Sequence, residues 1–205
     1  MGRTAIVLGS GIALWVAAAC EVREYPEDEV GGSAEPGGAA AAAEMQRNGG
    51  ADAVGRRAEA VLVDATGRQV GAATLVQEVD GVRIAVSVEG LEPGRLGFHI
   101  HEHGRCDAPD FESAGGHLGP GAQQHGTENP EGPHAGDLPN LRVGADGRGE
   151  NEMLNPLLSL SEGEASSVLR PGGTSVIIHE ETDDYYTDPS GDAGARIACG
   201  VIRVG

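Results

Sequence analysis

Short β-branched runs cut by turn signals fill the chain from residue 56 onward, and that punctuation leaves strands as the main building material. The runs are Ala58–Asp64, Val70–Glu78, Val82–Glu89, Gly97–Glu102, Leu141–Ala145, Gly149–Leu154, Ser175–His179 and Ala198–Val204. Turn signals fall between them at Ala65-Thr66-Gly67, Asp80-Gly81, Glu92-Pro93-Gly94 and Asp146-Gly147. Eight short strands of this kind predict an all-β antiparallel sandwich or barrel. Leu157–Leu169 has weak helical character and reads as loop or a single helical turn. With 3% aromatic residues and 34 glycines, a large aromatic core is excluded. A compact β domain with long glycine-rich loops fits.

The first 55 residues have a different character. Residues 1–19 pair Arg3 with an apolar stretch from Ala5 to Ala19. That stretch is shorter than the roughly 20 apolar residues a membrane span needs, and it reads as an export signal. Cys20 follows Ala17, Ala18 and Ala19, which resembles a bacterial lipobox and predicts a lipidated Cys20. The competing reading is an ordinary signal cut near Ala19. Residues 20–55 are acidic and low in complexity, and read as a flexible tether. The expected location is exported, periplasmic or cell-surface, with a lipid anchor on a bacterial membrane. If Cys20 carries lipid, Cys106 and Cys199 remain. In an exported chain that pair reads as a disulfide or as two buried thiols. The formal charge is −18, and all 14 basic residues are Arg. A nucleic-acid partner is excluded, because phosphate binding needs clustered cations.

Residues 103–140 and 180–197 form two long loops. Loops this long inside a small domain are commonly functional. Histidine placement supports that here. None of the seven histidines precedes residue 99, and six fall within 99–134. His99 and His101 are two apart on a predicted strand, so their rings share one face while Ile100 points to the core. His179 ends another predicted strand. His117, His125 and His134 lie in the first long loop, with Asp137 three residues further on. Imidazole suits copper and zinc, and a carboxylate completes a tetrahedral zinc site. Each of these residues alone reads as a surface or hydrogen-bonded group; the set is what carries the metal reading.

Four stretches together resemble the copper,zinc superoxide dismutase family. They are GFHIHEHGRC (Gly97–Cys106), SAGGHLGPGAQQHGTENPEGPHAGDL (Ser113–Leu138), SVIIHEETDD (Ser175–Asp184) and GARIACGVI (Gly194–Ile202). The resemblance covers about residues 56–205. It implies an eight-stranded antiparallel Greek-key β-barrel with two long functional loops. By matching position it implies copper on His99, His101, His117 and His179. It implies zinc on His117, His125, His134 and Asp137, with His117 bridging the two. Cys106 and Cys199 would form the disulfide. Arg196 would stand beside the copper and attract superoxide, and Asp183 would link a copper-side to a zinc-side histidine. The implied reaction is disproportionation of superoxide to dioxygen and hydrogen peroxide, copper alternating between Cu(II) and Cu(I).

His103 departs from the family pattern; it reads as a surface residue or as an accessory copper contact. The second loop is very acidic, and the chain has no Lys to guide superoxide. Long-range steering is therefore expected to be weak. The rival reading is a non-catalytic copper/zinc-binding lipoprotein on the same fold, since fold alone does not fix function. A homodimer is left open.

Overall fold

The structure is a computed structural model that describes residues 53–119 and 121–205. The predicted signal, Cys20 and nearly all of the tether lie outside the described residues. Ten strands follow one another: β1 (Arg57–Asp64), β2 (Gln69–Glu78), β3 (Gly81–Glu89), β4 (Gly94–Leu96), β5 (Phe98–His101), β6 (Leu141–Val143), β7 (Arg148–Asn155), β8 (Ser175–His179), β9 (Arg196–Val201) and β10 (Arg203–Val204). Side-chain alternation explains the strands. Along β3, Val82, Ile84, Val86 and Val88 are buried, and along β1 Ala58, Ala60 and Leu62 are. Period-two patterning of this kind puts one face of a strand in the core.

The strands are antiparallel neighbours in the order β4-β6-β7-β3-β2-β1-β9-β8-β5, with β10 added to β1. The two ends of this path, β4 and β5, are separated in sequence by Gly97 alone. The sheet therefore wraps into a nearly closed barrel. Ala58, Leu62, Leu75, Ile84, Phe98, Ile100, Val176 and Ile178 fill its interior.

The expected count of eight strands is corrected to ten. β4 has only three residues, too short to show an alternation, and it falls where a turn is predicted. The last predicted strand divides because the Ile202 N–H turns aside to donate to the Thr174 carbonyl at 3.0 Å. The weak helical segment is loop. Ser159 and Ser167 form an isolated parallel bridge within it. The first long loop holds one 3₁₀ turn, Glu112–Ala114.

Three connections position the site, two of which cross the sheet. The first long loop leaves β5 at one end of the path and returns at β6 near the other. The segment from β7 to β8 crosses back, and the second long loop joins β8 to β9. Both long loops start directly after strands that end in histidine.

Candidate metal centre

β5 supplies the rigid half of the site. His99 and His101 leave the same face, while Ile100 packs in the core, as their spacing predicts. The first long loop is stapled to this strand. Isolated antiparallel bridges pair His101 with His117 and His99 with Asp137. The Ile100 N–H donates to the Gly136 carbonyl at 2.9 Å, and the Leu118 N–H donates to the Ile100 carbonyl at 2.8 Å. Gly136 is required at this contact, because a Cβ there would overlap the Ile100 carbonyl and the Leu118 amide. His179 arrives on β8, paired with β5.

Two groups of ligand atoms result, each within 4.8 Å of one another. They are His99, His101, His117 and His179, and His117, His125, His134 and Asp137. Every one except His134 is buried. Among the described residues, all seven sequence-predicted ligands are brought together.

Outer partners fix which nitrogen each ring has free. A carboxylate or carbonyl only accepts, so the ring nitrogen facing it must carry the proton. His99 Nε2 donates to Asp183 Oδ2 at 2.8 Å. His101 Nδ1 donates to the Gly115 carbonyl at 2.9 Å, and His179 Nδ1 to the Gly194 carbonyl at 3.1 Å. His125 Nε2 donates to Asp183 Oδ1 at 2.9 Å. The remaining nitrogens of the first group are buried and without hydrogen-bond partners: His99 Nδ1, His101 Nε2 and His179 Nε2, joined by His117 Nε2. Buried unpaired polar atoms are rare and call for an explanation. Four converging lone pairs are what a copper ion takes.

The second group crowds around Asp137. Its Oδ1 lies 2.8 Å from His117 Nδ1, 3.1 Å from His125 Nδ1 and 3.4 Å from His134 Nδ1. Its Oδ2 accepts from the backbone N–H groups of Gly126 and His134, both at 2.9 Å. Three nitrogens and one carboxylate oxygen match a tetrahedral zinc set. His117 is the ring that belongs to both groups. Neither nitrogen has an outer acceptor; Nδ1 faces the Asp137 group and Nε2 faces the other.

The electrostatics agree with neutral ligand rings on the first side. Burial pushes His99 down to about 3, and the His117 ring adds to this against the pull of Asp183. Burial pushes His179 down to about 4 and holds His101 well below its ordinary value. Burial also lowers His117, outweighing its hydrogen bond to Asp137. His125 goes the other way. Burial opposes its charge, but hydrogen bonds to Asp137 and Asp183 outweigh it and raise the ring to about 9. Asp137 and Asp183 are both held well below the usual carboxylate range. Burial would raise them, yet the histidines bonded to each prevail. Metal at the Asp137 group must therefore displace a proton from His125.

Arg196 opens β9 at the rim. Its Nη1 donates to the Phe111 carbonyl at 2.7 Å and its Nη2 to the Gly115 carbonyl at 2.8 Å. Gly115 also accepts from His101, so one carbonyl links the guanidinium to a ring of the first group. Cys106 and Cys199 form a disulfide with Cα atoms 5.7 Å apart, which ties the first loop to β9. Its neighbours are Phe111, Ala114 and Ile177. His103 belongs to neither group. Its exposed ring stands 3.6 Å from the Glu102 carboxylate.

Three further residues escaped the sequence reading. Asn140 and Tyr185 bond to Asp183, and Gly191 passes against it. No motif or spacing in the chain marks them.

A barrel carrying one four-histidine group and one three-histidine, one-carboxylate group, joined by a shared ring, defines a two-metal β-barrel protein. The description of the copper/zinc superoxide dismutase family matches residues 69–202. The chain is 47% identical over 148 residues to a Cu-Zn superoxide dismutase of Aquifex aeolicus, covering 72% of this chain and 86% of that one. It is 50% identical over 143 residues to a superoxide dismutase-like protein of Bacillus subtilis, covering 69% and 73%. Among solved structures, the Cu/Zn superoxide dismutase of Brucella abortus superposes with a TM-score of 0.58 at 34% identity, covering 72% of this chain and 99% of that one. A structure of a SOD-like protein from Bacillus subtilis gives 0.68 at 49% identity, covering 70% and 96%. The chain belongs to the copper/zinc superoxide dismutase family.

Proposed function

We propose that this chain is a superoxide dismutase that converts two superoxide ions and two protons into dioxygen and hydrogen peroxide. In this reading His99 Nδ1, His101 Nε2, His117 Nε2 and His179 Nε2 hold copper. His117 Nδ1, His125 Nδ1, His134 Nδ1 and Asp137 Oδ1 hold zinc. The observation that carries it is the set of buried, unpaired nitrogens on the first group, with His117 facing both groups. Bound copper supplies the one-electron couple that no ordinary side chain has, while zinc, without redox chemistry, supplies charge and orientation.

The chain's own residues supply the rest. Arg196 is charged at any relevant pH and holds a small anion beside the first group. Its two backbone anchors fix the guanidinium with no flexible search. His117 Nε2, buried and without a hydrogen-bond partner, would be the atom placed to carry a proton for the product, which needs two, whenever it is not donating its lone pair to a metal. Asp183 orients His99 and His125 together and sets their tautomers. A passive metal store needs no such anchored cation, and Arg196 favours the enzyme over it. His101→Ala tests the reading. Superoxide consumption should be abolished while zinc is retained; full activity would refute the copper assignment.

The reading extends to residues 1–55. Residues 1–19 act as a lipoprotein-type export signal, Cys20 is acylated, and residues 20–55 tether the domain of residues 56–205 to a membrane facing the periplasm or cell surface. Its support is the lipobox-like run before Cys20. Cys20→Ala should move the protein from the membrane fraction to the soluble fraction. A homodimer belongs to the same reading. Exposed Val61 and Val204, near the disulfide, supply apolar surface for it, and sedimentation velocity tests it.

A further inference from the structure

Asp183 sets two rings at once, because His99 and His125 converge on its carboxylate. Yet it lies in the second long loop, where no strand ladder holds it. Two side chains outside the ligand groups do so instead. Asn140, where the first long loop ends, faces the Asp183 backbone. Its Nδ2 donates to the Asp183 carbonyl at 2.9 Å, and its Oδ1 accepts from the Asp183 N–H at 2.9 Å. One carboxamide thus pairs with both backbone groups of one residue, as a neighbouring strand would.

Tyr185 closes the arrangement from the other side. Its N–H donates to Asp183 Oδ1 at 2.6 Å, the oxygen that His125 also uses. Its hydroxyl accepts from the Asn140 backbone N–H at 2.9 Å. Its carbonyl accepts from the Glu128 N–H, in the first loop, at 3.0 Å. The backbone of Tyr185 lies at φ 64°, a region bulky side chains rarely adopt. Such a conformation persists only where its surroundings over-determine it. Here a bond to Asp183 within its own loop, two bonds to the first long loop, and the Arg95 guanidinium 3.5 Å from the hydroxyl do so.

We propose that Tyr185 is a positioning residue for the two-metal centre: its hydroxyl hooks the end of the first long loop to the second, and through Asp183 this fixes the rings of His99 and His125. The inference rests on the reading of His125 as a zinc ligand and His99 as a copper ligand. It adds a residue that meets neither ring and acts through the carboxylate between them. A purely structural tyrosine would affect how firmly the chain folds. A positioning one also affects how the folded site holds metal.

The test uses the full chain with its disulfide intact and Tyr185→Phe, which deletes one hydroxyl. Zn²⁺ affinity is measured in competition with a chromophoric chelator. Co²⁺ is then placed at the zinc position and its visible absorption recorded. The variant should bind zinc about tenfold more weakly, the lower end of the range for partners that orient metal ligands. Its Co²⁺ bands should shift. Asn140→Ala, which removes the carboxamide pair, should lose at least as much. Parent affinity and an unchanged Co²⁺ spectrum in both variants would overturn the positioning role, whatever their urea midpoints. Failure of the parent chain itself to bind zinc would overturn the ligand assignment instead.

Discussion

Histidines of one site are pulled in opposite directions, and this sets the pH behaviour of the metal-free protein. His99 and His179 fall to about 3 and about 4, below the ordinary value of 6.5. A ring whose folded value is depressed favours folding above its unfolded value. That contribution is lost as pH falls from 6.5 toward 4. His125 rises to about 9, so its contribution is full below 6.5 and lost as pH climbs through 9. The urea midpoint of the metal-free chain should therefore peak near pH 6.5 and fall on both sides. A midpoint that kept rising to pH 9 would contradict the bonds assigned to His125. Gly191 belongs to this scale too. A Cβ there would overlap the Asp183 carboxylate and the His125 ring. Gly191→Ala should weaken zinc binding by about 10–100-fold, the range for groups that orient metal ligands, as chelator competition would read. The candidate ligand residues themselves were legible in the sequence because ligand chemistry restricts residue type. Asn140, Tyr185 and Gly191 were not. The Asn140 carboxamide meets the backbone of Asp183 across 43 positions, and a contact to a partner's backbone leaves no mark on that partner's side chain from which it could be foreseen.

Among the elements, β5 was the easiest to foresee. An i, i+2 histidine pair around an isoleucine gives a strand face without any appeal to relatives. β4 and the split between β9 and β10 were hidden. Their strands are three and two residues long, and only tertiary hydrogen bonds define them. The disulfide joins the first long loop to β9 across a separation of 93 positions. In the chain-entropy model a crosslink of that span is worth about 4–5 kcal/mol. Replacing Cys106 and Cys199 together by Ser should lower unfolding free energy by about that amount. It should also free the Phe111 carbonyl region that anchors Arg196, so superoxide turnover should fall even where the barrel stays folded. An unchanged urea midpoint in the double variant would show that the loop is held by its other contacts.

The whole molecule carries a charge of −18 with no Lys, and the second loop exposes Glu180, Glu181, Asp184, Asp188 and Asp192. On the proposed reading, an anionic substrate would meet little attraction until it nears Arg196 and the bound metals. Steered association falls steeply with ionic strength. Here the rate should change little between low and physiological salt, and a steep fall would show a guiding field that these charges do not supply. Strand punctuation alone pointed to an all-β sandwich or barrel, whereas the Greek-key barrel and the reaction were implied by the resemblance of four stretches taken together. The most direct test of the account takes one sample of the purified full chain loaded with both metals. Copper and zinc are counted per chain, and superoxide consumption is measured on the same sample. One copper and one zinc with rapid consumption is the predicted result. The same metal content with no consumption would contradict the enzyme and leave a metal store on this barrel.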